Sequence, residues 1–183
     1  KIFDCFMYFD EELVLEVRLN TLNKFVDYFV IVESKFTHKG DLRDLKFNHK
    51  KFEKFKDKII YLIHEEKPKE IEIIKSEDSE DEKSRKYVFN AIHRENSQRN
   101  YIQKGLVHAK ENDLILISDV DEIPNLLDTN FDIIDEKIIL FKQNMFYYKF
   151  NLYLPNLIWI GTKGCRKKNL INPQWLRNIK DRK

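Results

Sequence analysis

Apolar residues cluster in four short runs, Ile2–Phe9 (interrupted by Asp4), Phe29–Val32, Ile59–Ile63 and Leu114–Ile117, each followed by polar residues. Leu114-Ile115-Leu116-Ile117 shows no alternation, the pattern of a strand buried on both faces, as in the middle of a parallel sheet. Between the first two runs, Asp10-Glu11-Glu12 predicts a helix start, with Asp10 as N-cap and acids placed to suit the helix dipole. Val14, Val17, Leu22 and Phe25 lie near one stripe and predict that this helix covers the sheet. Strand, helix and strand within about thirty residues make a βαβ unit with a right-handed crossover.

Farther along, Ile59–Ile63 predicts a third strand, after a segment whose lysines (Lys50, Lys51, Lys54, Lys56, Lys58) form a solvated face. Residues 76–86 contain no hydrophobic side chain and predict a mobile surface loop. Residues 87–110 predict a helix whose buried face is Val88, Ile92, Ile102, Leu106 and Ala109, with Glu95 and Arg99 on the same inward stripe, where they can pair. Ile138–Phe141 and Asn144–Tyr148 predict strands. Trp159-Ile160-Gly161 then precedes a basic loop, Lys163–Lys168, and the polar residues 178–183 supply no closing element. The expected fold is α/β, a mostly parallel sheet flanked by helices in one domain spanning 1–183.

The chemistry concentrates where the most apolar strand ends: Ser118-Asp119-Val120-Asp121-Glu122-Ile123-Pro124. Ligand crevices of open α/β sheets lie beyond the carboxyl ends of the strands. Asp119 and Asp121 are two apart, which in extended backbone turns both carboxylates the same way. Their repulsion predicts a hard divalent cation, Mn²⁺ or Mg²⁺, shared with water and phosphate oxygens. The plainer alternative is a polar turn, since Asp and Pro are both turn formers. Glu33, closing the second strand, shares this edge. Arg99, facing the Asp119 strand, suits a diphosphate gripped through two nitrogens. Arg94 and Asn100 are close in sequence but off the stripe. Aromatics near the crevice could stack on a sugar ring or belong to the core.

Composition narrows the field. In 183 residues the formal net charge is +2, which argues against a dedicated nucleic-acid binder. No run approaches the roughly 18 apolar residues of a membrane span, and no signal peptide precedes Lys1, so a cytoplasmic chain is expected as it stands. Of the two cysteines, Cys5 sits in an apolar run as a small buried hydrophobe, and so few cysteines favour a reducing compartment.

Five segments resemble glycosyltransferase family 17: Asp4–Glu11, Arg18–Leu22, Val30–Glu33, Arg94–Asn100 and Leu114–Pro124, spread in order along most of residues 1–165. That family includes the β-1,4-mannosyl-glycoprotein β-1,4-N-acetylglucosaminyltransferase, whose animal relatives are Golgi-anchored. The resemblance implies a GT-A-like (Rossmann-like) fold, an inverting mechanism, a divalent metal, a UDP-sugar donor such as UDP-GlcNAc, and a glycan acceptor. It implies that Asp119 and Asp121 hold the metal and that Glu33 contacts the nucleoside. Arg99 would approach the phosphates, with Glu95 and Asn100 as lesser donor-binding candidates. Residues 1–125 would then bind the nucleotide sugar. The family pattern continues with a Gly-Trp-His-Phe-like segment absent before Lys183, so 126–183 is expected to be a partial acceptor side. Glu122 is the nearest additional carboxylate, but strand alternation turns it from the metal pair, and no acceptor base is assigned. Two other classes compete: a non-catalytic nucleotide-sugar or glycan-binding domain, and a haloacid-dehalogenase-like phosphatase. In the latter a small hydroxyl or branched residue, not Glu122-Ile123-Pro124, usually follows the acidic pair.

Overall fold

The computed structural model of the chain describes residues 1–127, 129–148 and 151–181. Six strands form one sheet: β1 (Ile2–Tyr8), β2 (Tyr28–Ser34), β3 (Ile59–His64), β4 (Leu114–Ser118), β5 (Ile139–Phe146) and β6 (Tyr153–Arg166). Their spatial order is β3-β2-β1-β4-β6-β5. β3, β2, β1 and β4 are mutually parallel, whereas β6 runs antiparallel to both β4 and β5. The sheet is therefore mixed, parallel over four strands and antiparallel where β6 and β5 join it. β5 and β6 pair as a hairpin, which needs only a short connection, while each parallel pair needs a crossover.

The apolar runs occupy the middle of the sheet because both of its faces are covered. Phe6, Tyr8, Phe29, Ile31, Leu114 and Leu116 pack beneath α1 (Glu12–Leu22), with Phe52 and Phe55 from the segment before β3. On the opposite face Phe3, Cys5, Val30, Val32, Ile115 and Ile117 meet Ile102 and Leu106 of a 3-10 turn (Tyr101–Leu106) and Leu176 of α3 (Pro173–Asn178). Cys5 and Cys165 are both buried and unpaired.

Several local expectations are corrected. The N-cap of α1 is Glu11, not Asp10; the Glu11 carboxylate accepts from the amides of Phe9 and Asp10. The buried stripe of α1 is Leu15, Arg18, Leu19 and Leu22, leaving Val17 exposed. Residues 80–86 are helical, because α2 (Glu80–Asn100) starts at a capping box. Ser79 accepts from the Glu82 amide, and the Glu82 carboxylate accepts from the Ser79 amide, satisfying two donors that open a helix. Beyond Asn100 the helix gives way to the 3-10 turn, and Val88 and Ile92 stay exposed at 58% and 42%. The first half of α2 rests on residue 72 instead, where the Asn90 amide exchanges two 2.8 Å hydrogen bonds with the Glu72 main chain. Residues 139–146 form one strand with register shifts, not two. The supposed basic loop is split between the end of β6 and a 3-10 turn, with Lys163 and Cys165 buried in the strand.

Candidate active site

The acidic turn after β4 is built around one buried cation. Arg18 arrives on the apolar stripe of α1 and is wholly buried, as is Asp4, which points to the same face from the middle of β1. The guanidinium grips Asp4 through two nitrogens, Nε at 2.8 Å and Nη2 at 2.5 Å. Nη2 also donates to Ser118 Oγ at 3.0 Å. Nη1 donates to three main-chain carbonyls of the turn, those of Asp119 (3.1 Å), Val120 (3.2 Å) and Glu122 (2.9 Å). The Phe6 ring lies 4.5 Å from the guanidinium carbon. A buried, fully bonded pair of this kind fixes geometry, whatever its net contribution to stability.

β4 ends at Ser118, so Asp119 and Asp121 stand on a turn rather than on extended backbone. Both nevertheless line one crevice of about 760 Å³ beyond the carboxyl ends of β1, β2 and β4. Met7, Tyr8 and Phe9 come from the end of β1; Thr37, His38, Lys39 and Asp41 follow β2; Glu95, Gln98 and Arg99 come from α2. The loop after β2 turns at Gly40, whose φ of +100° is a left-handed conformation, and Arg94 donates to the His38 carbonyl at 2.8 Å to hold it.

The two aspartates differ in state. Asp119 is held at both oxygens, Oδ1 by Arg99 at 3.0 Å and Oδ2 by Arg177 at 2.6 Å. Asp121 joins no ion pair among the described residues. The surrounding protein, and then the Glu122 and Asp119 carboxylates, push its carboxyl above the usual range although the side chain stays open to solvent. Among the described residues no three His, Cys, Asp or Glu side chains form a ready-made metal cluster.

Arg99 lies where the helical stripe placed it, 2% exposed, donating to Glu95 (2.8 Å), Asp119 and Gln174 (2.5 Å). Its Nε is buried without a partner. Glu95 lines the crevice, whereas Asn100 sits outside it and accepts from the Gln174 amide at 2.9 Å. Glu33 is also outside the crevice lining and wholly buried. Its carboxylate accepts from Arg43, the amides of Lys46 and Phe47, and the Tyr61 hydroxyl, at 2.6–3.0 Å. It ties the 43–47 segment to the sheet. Glu122 is 7% exposed and engaged at both oxygens: Oε2 accepts from the Asp119 amide (2.8 Å), and Oε1 from Trp159 Nε1 (2.7 Å) and Arg177 (2.8 Å). It folds back over the turn because Gly161 lets it: a Cβ there would lie 2.7 Å from the Glu122 carboxyl carbon.

Four residues central to this arrangement escape a linear reading of the chain: Asp4, Arg18, Gln174 and Arg177. For the first two a signal existed, since a charge on an apolar helical stripe and a charge inside an apolar strand each demand a partner. Nothing in the local pattern of Pro173–Asn178 marks Arg177, whose partners are 58 and 55 residues away.

No helix of the described residues is long and apolar enough to cross a membrane. No curated protein and no solved structure matches the chain. The sequence profile of glycosyltransferase family 17 matches residues 1–169 of the 183. With more than nine-tenths of its length so matched, including β1, the acidic turn and Arg99, the chain belongs to glycosyltransferase family 17.

Proposed function

We propose that this glycosyltransferase is metal-dependent and inverting, moving a sugar, GlcNAc in the first instance, from a UDP-sugar to a glycan acceptor. The observation that carries the reading is the crevice itself. It lies at the carboxyl ends of parallel strands, falls within the roughly 300–1,000 Å³ of small-molecule sites, and is lined by both Arg99 and Asp121, which joins no ion pair among the described residues. Four parallel strands continued by an antiparallel β6 also suit a GT-A-like frame.

Asp121 would hold Mn²⁺ or Mg²⁺ as the leading protein ligand, since its carboxylate is available and its charge is unfavourable without a counterion. Such ions keep several waters and commonly take only one or two carboxylates beside substrate phosphates, so one free side chain suffices. Asp119, already gripped by an arginine at each oxygen, would have only one lone pair left on each to offer the ion. When bound, the cation would supply Lewis-acid neutralisation of the departing nucleoside diphosphate. Arg99 would position that diphosphate from the crevice wall, its fork of donors being suited to paired oxygens. In an inverting transfer the acceptor oxygen bonds to the anomeric carbon as the bond to the diphosphate oxygen breaks on the opposite face. The hydroxyl proton leaves to a base, and Glu122, occupied at both oxygens, is a poor one as it stands. Glu33 serves by holding the 43–47 segment rather than by touching the nucleoside.

Calorimetric titration of UDP tests this. The parent should bind UDP with manganese and lose binding when the metal is chelated, and Asp121→Asn should lose the metal-dependent part while melting cooperatively. UDP release from UDP-GlcNAc should fall in parallel. A folded Asp121→Asn protein that binds UDP and manganese like the parent overturns the metal role.

A further inference from the structure

α3 reaches into the site with a side chain that stands where a second cation would be wanted. Arg177 Nη2 lies between two carboxylates, 2.6 Å from Asp119 Oδ2 and 2.8 Å from Glu122 Oε1, while Nη1 donates to the Gly161 carbonyl at 2.8 Å. The guanidinium is nearly buried, at 14% side-chain exposure. Burial works against its charge, yet the two carboxylates raise its pKa above the ordinary value. α3 is seated to deliver it: Asn172 caps the helix by accepting from the Trp175 amide at 2.7 Å, and Pro173 occupies its first position. The Gln174 amide is held by Asn100, and Lys163 donates to the Arg177 carbonyl. The other charged groups around the cluster are Asp121 on the turn itself, Arg18 from α1 beneath its carbonyls, Arg99 and Glu95 from α2, and Lys163 from β6, the last with its pKa lowered by burial and by Arg177 itself.

We infer that Arg177 is a positioning residue acting as an internal counter-cation, which occupies Asp119 and Glu122 and so leaves Asp121 the leading ligand for a metal at this turn. The inference rests on the proposed metal-dependent transfer and deepens it by naming what sets the site's cation affinity. Arg177 holds Asp119 and Glu122 from behind the turn without lining the crevice itself. Without it, Asp119 Oδ2 and a share of Glu122 Oε1 lose their partner, and three carboxylates within four residues of chain are left with Arg99 and Trp159 as their remaining side-chain donors, beside the Asp119 amide. Removing a positive charge this close to a divalent ion should strengthen its binding by about tenfold or more, even at the high effective dielectric of a protein surface.

The test is titration of Mn²⁺ alone, without nucleotide, into the parent, Arg177→Gln and Arg177→Lys. Free manganese is followed by its electron paramagnetic resonance signal, and folding is checked by cooperative melting. Arg177→Gln should bind Mn²⁺ about tenfold or more tightly than the parent, and manganese should raise its Tm more than the parent's. Arg177→Lys keeps a charge but loses the planar fork, so it should fall between the two. If Arg177→Gln does not fold, the Lys variant carries the test through the same direction of change. Unchanged or weaker Mn²⁺ binding in a folded variant overturns the inference, because a merely structural arginine predicts that result. The parent's own titration with UDP separates the two ideas. Manganese-dependent UDP binding with an Arg177→Gln affinity like the parent's sinks only the counter-cation. A gain in Mn²⁺ affinity with no UDP binding in any protein sinks only the transferase reading.

Discussion

At the level of single residues, the Asp4–Arg18 pair decides where the acidic turn after β4 stands. Replacing Arg18 by Met keeps the apolar stem but leaves Asp4 buried without its cation, an arrangement that costs about 3–5 kcal/mol. Chemical denaturation should show that loss, and a variant within about 1 kcal/mol of the parent would mean that the turn is held by something else. A one-dimensional reading could place Arg99, because its four-residue spacing from Glu95 on α2 puts the two together on the side that faces Asp119. It could not supply Arg18's role, because the Asp4 and Asp119 contacts span 14 and 101 residues of chain. Glu33 shows the converse error. Its position at a strand end was legible, but that its oxygens are already filled by Arg43, Tyr61 and two amides depends on a loop folding back.

Among the elements, α2 shows how composition misleads when termini are ignored. The polar run 76–86 looked incapable of burial, and it largely is: Glu80, Asp81 and Glu82 are exposed. Its helicity comes from end chemistry, the Ser79–Glu82 capping box, acids in the first turn and the Lys86–Asp78 pair at 2.6 Å. Ser79→Ala should therefore lower stability by about 1 kcal/mol. Deleting residues 76–86 removes about two turns of α2 and, with Lys86, its donation to the Ile73 carbonyl. The shortened protein should show faster hydrogen exchange through Tyr87–Ala91 by mass spectrometry, whereas an unchanged pattern would return the stretch to passive surface. The apolar runs behind β1, β2 and β4 were legible for the opposite reason, since burial on both faces leaves few polar positions, Asp4 in β1 among them, for the pattern to confuse.

For the molecule as a whole, stability against pH depends on how helix and sheet are joined. His64, 2% exposed at the end of β3, bridges Ser34 Oγ on β2 (3.4 Å) and Ser97 Oγ on α2 (3.0 Å). Burial lowers its pKa, so the unfolded chain binds the proton more readily than the folded one. Its contribution is fully present above the ordinary histidine value of about 6.5 and is lost as pH falls through and below it. Tm measured across that range should fall on acidification, and His64→Gln should flatten this slope; an identical slope would place the sensitivity elsewhere. The mixed sheet was only half legible: hydrophobic runs announce strands but not direction, and β6 reverses because its partner β5 is its neighbour in sequence. The capture of the turn's carbonyls by Arg18 carries a consequence for ion selectivity. The oxygens of Asp119, Val120 and Glu122 point inward to the guanidinium, so the backbone of the turn has three fewer neutral ligands to give an ion in the crevice. Calcium, which gathers six to eight oxygens from flexible loops, finds few here, whereas a small octahedral ion that keeps its own water shell needs little more than Asp121.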